Sequence, residues 1–223
     1  MNWIDKLDRK FGRHSISHLM YGISAVMLIV YFANLLTRGA VYQLLSFNRS
    51  LIFSGQIWRA VTFLILPPNN SPIWILFSLY FYCLIGNGLE QEWGSFRFNL
   101  FYLIGALGAI ISGFLTGYAV NDYLNFSMFL AFAAIYPNFQ ILVFFILPIQ
   151  IKYLAAFDLV FYAFSFISGT FSTRIAILMA LLNVILFFGS DFYHHLKGES
   201  GYRQTRNNWR NFYRNKTYGI RYF

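Results

Sequence analysis

Six blocks of apolar residues, each almost free of charge, follow one another between His18 and Phe188 and constrain this chain more than any other feature of its sequence. They run from about His18 to Leu36, Ile73 to Leu89, Phe98 to Val120, Leu124 to Tyr136, Tyr153 to Ile167 and Ile175 to Phe188. Only 11% of the 223 residues are charged and the mean hydropathy is +0.52, whereas soluble domains carry about 25% charged residues. So few charges cannot cover a soluble surface. The expectation is an all-α polytopic membrane protein with six spanning helices. A basic N-terminal segment (1–17) would precede the membrane domain (18–188), and a basic, aromatic-rich tail (189–223) would follow it.

The opening "MNWIDKLDRKFGRHSISH" leads into the first block with no small-residue cleavage site, so it is expected to be retained. Lys and Arg set the orientation. With six crossings, thirteen basic residues fall on the side of the termini: Lys6, Arg9, Lys10, Arg13, Arg97, Lys152 and seven in the tail. The other side receives Arg38, Arg49, Arg59 and Arg174. Both termini are therefore expected in the cytoplasm, in the plasma membrane if the chain is bacterial. The single cysteine, Cys83, excludes a disulfide within the chain.

Block length is informative as well. Leu124 to Tyr136, stopped by Pro137, would reach only about 20 Å as a helix, against a hydrocarbon core of about 30 Å. Neighbouring helices or a thinned bilayer must accommodate it. The apolar run from Phe139 to Leu147 then reads as a segment on the cytoplasmic face rather than a seventh span. In the third block Gly105, Ala109, Gly113 and Gly117 recur every four residues. Such a small face lets helix backbones approach closely, and it places the third helix at the centre of the expected bundle.

Three further segments carry a resemblance. "LEQEWGSFRFNLFYLIG" (89–105), with Glu90, Glu92, Trp93, Gly94 and Arg97, resembles the junction of the second and third helices in rhomboid-like proteins. "GQIWRAVTFLILPP", with Trp58 and Arg59, is similar to the Trp-Arg motif in the first loop of rhomboids and derlins. "YPNFQILVFFILPIQIKYLA" resembles the segment joining helices four and five of bacterial relatives. Read without the family, Trp58 and Arg59 suit an interfacial loop in which an indole anchors and a guanidinium bonds headgroups or loop carbonyls. Glu90, Glu92 and Arg97 can pair across the short turn.

The resemblance implies a six-helix fold, in which rhomboid proteases use Ser in a Gly-x-Ser-Gly turn at the start of helix four and His in helix six. Here "NFSM" stands at the serine turn and the sixth block, "RIAILMALLNVILFFG", has no histidine. His14, His18, His194 and His195 all fall on the cytoplasmic side of the expected topology. A serine hydroxyl without a base is a weak nucleophile. Asn125 or Ser127 is therefore read as a helix N-cap and no catalytic residue is assigned.

Asp158 and Asn183 stand inside spans, where polar groups are costly and often functional. Asp158 can pair with Lys152 or accept from Asn183. His14 and His18 are two ligands without a third, so no metal and no cofactor are expected. The tail's basic and aromatic mixture suits anionic lipid, with nucleic acid the weaker alternative. The functional expectation is a non-proteolytic rhomboid-like protein that binds transmembrane segments of clients beside the second and fifth helices. The alternatives are an intramembrane serine protease using Ser127 with an unrecognised base, and a small transporter or channel lined by Asp158 and Asn183.

Overall fold

The computed structural model describes residues 7–10, 12, 15–68, 71–143 and 147–196. Lys6, Arg13 and His14, and the part of the basic tail beyond residue 196, lie outside the described residues. The chain divides into two compact units, Met1–Val184 and Ile185–Phe223. The described part of the second is the end of the last helix.

From Leu19 onward nine α-helices are described. Helix α1 is Leu19–Leu36; α2 (Ala40–Leu45), α3 (Arg49–Phe53) and α4 (Arg59–Thr62) are short, and α4 runs into a 3-10 turn, Phe63–Ile65. Then come α5 (Pro72–Trp93), α6 (Ser95–Thr116), α7 (Asp122–Ile135), strands β1 (Gln140–Val143) and β2 (Leu147–Gln150), α8 (Ile151–Ser168) and α9 (Phe171–Leu196). Helices α1, α5, α6, α8 and α9 are each long and apolar enough to cross a membrane. Their exposed positions carry large apolar side chains, among them Ile29, Phe32, Ile73, Leu76, Leu115, Val160 and Phe164. An exposed apolar surface of this extent suits lipid rather than water. Length, composition and surface together mark an integral membrane protein.

The helices outrun the apolar blocks because helix ends tolerate polar residues. The second block continues through Glu90, Glu92 and Trp93, and only Gly94 interrupts the chain before α6 begins. Gly94 has φ 82° and ψ 157°, a combination essentially confined to glycine. The third block ends earlier than its apolarity suggests. Gly117, read from the sequence as the last member of the small face, lies beyond the helix at φ 91°, with its N–H on the Gly113 carbonyl. It terminates α6 instead of packing along it.

The expected all-α class needs one correction, because the run after Pro137 forms an antiparallel β-hairpin. Gln140 pairs with Gln150 and Val143 with Leu147. Pro137 and Pro148 break helical hydrogen bonding at both ends of a stretch rich in β-branched and aromatic residues. Backbone bonds from Ile151 N–H to the Phe139 carbonyl and from Lys152 N–H to the Pro137 carbonyl join the hairpin to α8.

A second correction concerns the centre of the bundle. Helix α7, rather than α6, is the most enclosed: nine of its fourteen residues are buried, against six of twenty-two in α6 and two of eighteen in α8. α7 packs on α5, α6 and α8, while α5 also packs on α1 and α6. Ring contacts mark two of these seams: Phe81 of α5 meets Phe129, and Tyr162 of α8 stacks on Phe126 with centroids 3.9 Å apart. Fourteen residues reach about 21 Å, so the neighbours cover a helix too short to span a typical bilayer by itself.

Candidate functional site

The polar side chains at the heart of the bundle gather around the first half of α7. Ser127 is its sixth residue and is fully buried. Its Oγ donates to the Leu124 carbonyl at 2.7 Å and accepts from Asn183 Nδ2 of α9 at 3.3 Å. The same Nδ2 lies 3.4 Å from the Phe101 carbonyl of α6. One amide therefore ties together three helices that are separate in sequence.

Gly105 makes this meeting possible. A Cβ there would sit 2.6 Å from Asn183 Nδ2 and would collide with the Leu124 side chain. Further along α6, a Cβ on Gly113 would lie 2.6 Å from the Phe47 ring. The small face thus receives α7 and α9 at Gly105 and the first loop at Gly113. Gly108 is looser, its nearest neighbour being Met179 Cβ at 3.6 Å.

The expectation that Asn125 or Ser127 caps α7 is overturned. The helix begins at Asp122, and its cap position is Asn121. Asn125 is the fourth residue, buried, with its amide Nδ2 on the Tyr82 hydroxyl at 3.0 Å. Ser127 lies past the first turn, whose N–H groups are the ones a cap would satisfy. Asn121 instead donates to the carbonyls of Leu64 (3.1 Å) and Leu66 (2.8 Å), fastening the first loop to the start of α7. Its signal in the sequence was modest: an Asn-Asp pair between the helix-ending Gly117 and the next apolar run.

A cavity of about 210 Å³ opens beside this end of α7, lined among others by Ser112, Tyr123, Leu124, Ser127, Thr173 and Met179. Ser112 Oγ and Asn183 Oδ1 are buried and make no hydrogen bond with a described group. The chemistry open to Ser127 here is limited. Its proton is engaged by a backbone carbonyl, and its partner is an amide, which takes up no proton in the neutral range. No group of three His, Cys, Asp or Glu side chains among the described residues is placed to hold a metal ion.

The first-loop motif is built around Arg59, a buried cation. Its Nε bonds Gln56 Oε1, and its Nη1 bonds the carbonyls of Gln43 and Ser46, the latter at 3.0 Å. Loop carbonyls therefore occupy the guanidinium. Trp58 is 46% exposed and donates from Nε1 to the Leu44 carbonyl at 3.3 Å. Thr62 Oγ1 adds a bond to the Leu45 carbonyl. Arg49 and Arg174 act on helix ends: Arg49 donates to the Phe114 carbonyl of α6, and Arg174 to Phe166 and Ile167 of α8.

At the opposite end of the bundle Glu90 is buried. Both of its carboxylate oxygens accept from the His18 backbone N–H, at 2.9 and 3.0 Å, and Oε1 accepts from Ser95 Oγ at 2.6 Å. His18 itself sits at φ 59°. The carboxylate holds the start of α1 against the α5–α6 corner. Glu92 accepts from the Tyr136 hydroxyl at 3.2 Å, linking that corner to the end of α7, and Trp93 packs on Phe101.

Neither expected partner of Asp158 reaches it. Lys152 Nζ bonds Asn138 Oδ1 at 3.3 Å and lies 5.1 Å from the Tyr153 ring centroid. Asn183 is committed to Ser127 and Phe101. The half-buried Asp158 has Tyr162 within electrostatic reach. Compared with protein-family models and with curated protein sequences, the chain gives no match.

Proposed function

We propose that this chain is a non-proteolytic member of the rhomboid-like superfamily, with six spans and cytoplasmic termini, which binds transmembrane segments of client proteins. The Ser127–Asn183 pair carries the reading. A serine of the short fourth span meets a residue of the sixth span, the two elements from which rhomboid proteases draw serine and histidine. An amide stands where the base would be needed, so the contact supports structure and not hydrolysis.

The surface for a client is the exposed face of α8 and, across α7, the exposed edge of α5. Only Ile151 and Ala155 of α8 are buried, while Phe157, Val160, Phe161, Phe164 and Ile167 are exposed. On α5, Tyr80 is 61% exposed. The short α7 between these helices favours a locally thinned bilayer, which lowers the cost of presenting a client span with polar residues. In the proposed topology, basic residues concentrate in the N-terminal segment and tail, where they meet anionic lipid.

The test joins two readouts on the purified, reconstituted chain. A panel of tagged transmembrane substrates is incubated with the wild type and with Ser127→Ala, and photocrosslinking residues are placed at Tyr80 and Phe161. The expected result is no cleavage by either form and adducts with transmembrane segments at both sites. Cleavage lost in Ser127→Ala would overturn the non-proteolytic reading. Absence of adducts would overturn client binding.

A further inference from the structure

Asp158 is the eighth residue of α8, about 10 Å along the helix from Ile151. It stands well inside a span of about 27 Å. It shares a stripe with Ile151, Ala155 and Tyr162, at intervals of four, three and four residues. Ile151 and Ala155 are buried; Asp158 is only half-buried. The stripe faces α7 at its start and reaches Phe126 through Tyr162, so the carboxyl group lies at the edge of the α7–α8 seam. No described residue donates a hydrogen bond to it. Lys152 and Asn183, the cation and amide its position suggests, are occupied elsewhere.

Its surroundings are selective. Phe157 and Phe161, one residue before and three after, are 70% and 57% exposed. Their π faces attract cations and offer a neutral hydrogen-bond donor little. On the α5 side, the Tyr82 hydroxyl bonded by Asn125 has Tyr162 within electrostatic reach. Tyr82 and Tyr162 thus set polar groups along the two seams of α7, one with α5 and one with α8. An ionisable side chain held inside a span is costly unless a partner compensates it.

We propose that Asp158 is the specificity determinant of this surface, and that it selects a transmembrane helix carrying a lysine or arginine near the middle of the bilayer. The basic side chain pairs with the carboxylate while Phe157 and Phe161 lie along one side of its charge. The inference rests on the client-binding reading and narrows it to one class of client. It also assigns the face: the client helix lies along α8, with its basic residue level with the eighth position.

The test uses the full chain in phosphatidylcholine vesicles and energy transfer to synthetic leucine-based transmembrane peptides. One peptide has a central lysine, one a central leucine and one a central glutamate. The wild type is expected to associate about tenfold more tightly with the lysine peptide than with the leucine peptide, and least with the glutamate peptide. Asp158→Asn should abolish the lysine preference, and Asp158→Glu should retain it. Equal association of lysine and leucine peptides with the wild type, or a preference that survives Asp158→Asn, overturns the role of Asp158 alone. Failure of every peptide to associate overturns the client-binding reading together with it. Retained thermal unfolding of both variants establishes that the changes are not losses of fold.

Discussion

Asn183 Nδ2 lies 3.3 Å from Ser127 Oγ, between two helices whose contacting residues are 56 positions apart. The geometry explains how a serine can be buried at the centre of a membrane bundle at low cost. The hydroxyl both donates and accepts, and each bond replaces one that lipid could not supply.

That bond should be measurable. Ser127→Ala is expected to lower stability by about 1 kcal/mol, and a double-mutant cycle with Asn183→Ala should give a coupling of similar size. Detergent thermal or denaturant unfolding of the four proteins reads it. Strictly additive losses would show that the two side chains do not interact. A fluorophosphonate probe, which labels activated serines, should leave Ser127 unmodified in the wild type.

Gly105 and Gly108 offer a paired comparison on one helix. A methyl group on Gly105 meets Leu124 and the Asn183 amide, so Gly105→Ala is expected to cost about 1–3 kcal/mol by overpacking. The nearest atom to such a methyl on Gly108 is Met179 Cβ at 3.6 Å, an ordinary contact. Gly108→Ala should be close to neutral. Thermal unfolding of both variants checks the order, and the reverse order would contradict the packing of α9 on α6.

Arg59 should prove structural. Its bonds to Gln43, Ser46 and Gln56 use the planar spread of the guanidinium, which a lysine does not reproduce. Arg59→Lys and Arg59→Ala are both expected to raise hydrogen exchange across residues 43–66, with the larger increase for alanine, while α5 and α6 keep their protection. Full rescue by lysine would mean that charge alone is required.

Glu90→Gln tests the clamp at the other end. Both carboxylate oxygens accept from the His18 N–H, and the amide substitute retains only one acceptor oxygen. The expected loss is about 1–2 kcal/mol, with faster proteolysis ahead of Leu19. Limited proteolysis followed by mass spectrometry locates the new cleavage. An unchanged pattern would show that α1 is held by its apolar packing alone.

Much of the long-helix architecture can be read directly from the sequence, because an unbroken apolar run of membrane length has few other uses. Gly105 and Gly113 were equally legible through their spacing, since only a close approach rewards small residues on one face. What sequence left open was local competition. Gly117 continues the four-residue spacing but takes a left-handed conformation and ends the helix. The run after Pro137 is apolar enough for a helix, yet two prolines and a β-rich interior turn it into a hairpin. Ser127 resembled a cap because the apolar run begins beside it, but helix α7 starts five residues earlier, at Asp122. Its partner Asn183 could not be found from spacing at all. Their contact depends on the glycine opposite them, which is a property of three helices at once.

The single residue between α5 and α6 has consequences for biogenesis. With only Gly94 between Trp93 and Ser95, the two helices leave the ribosome as one antiparallel unit of 45 residues, from Pro72 to Thr116. There is no slack for the insertion machinery to thread one helix and pause before the next. Whichever direction α5 takes, α6 must take the opposite one. An error at this corner would invert two spans together, so the charges beside it, Glu90, Glu92 and Arg97, stand where a single decision orients both helices.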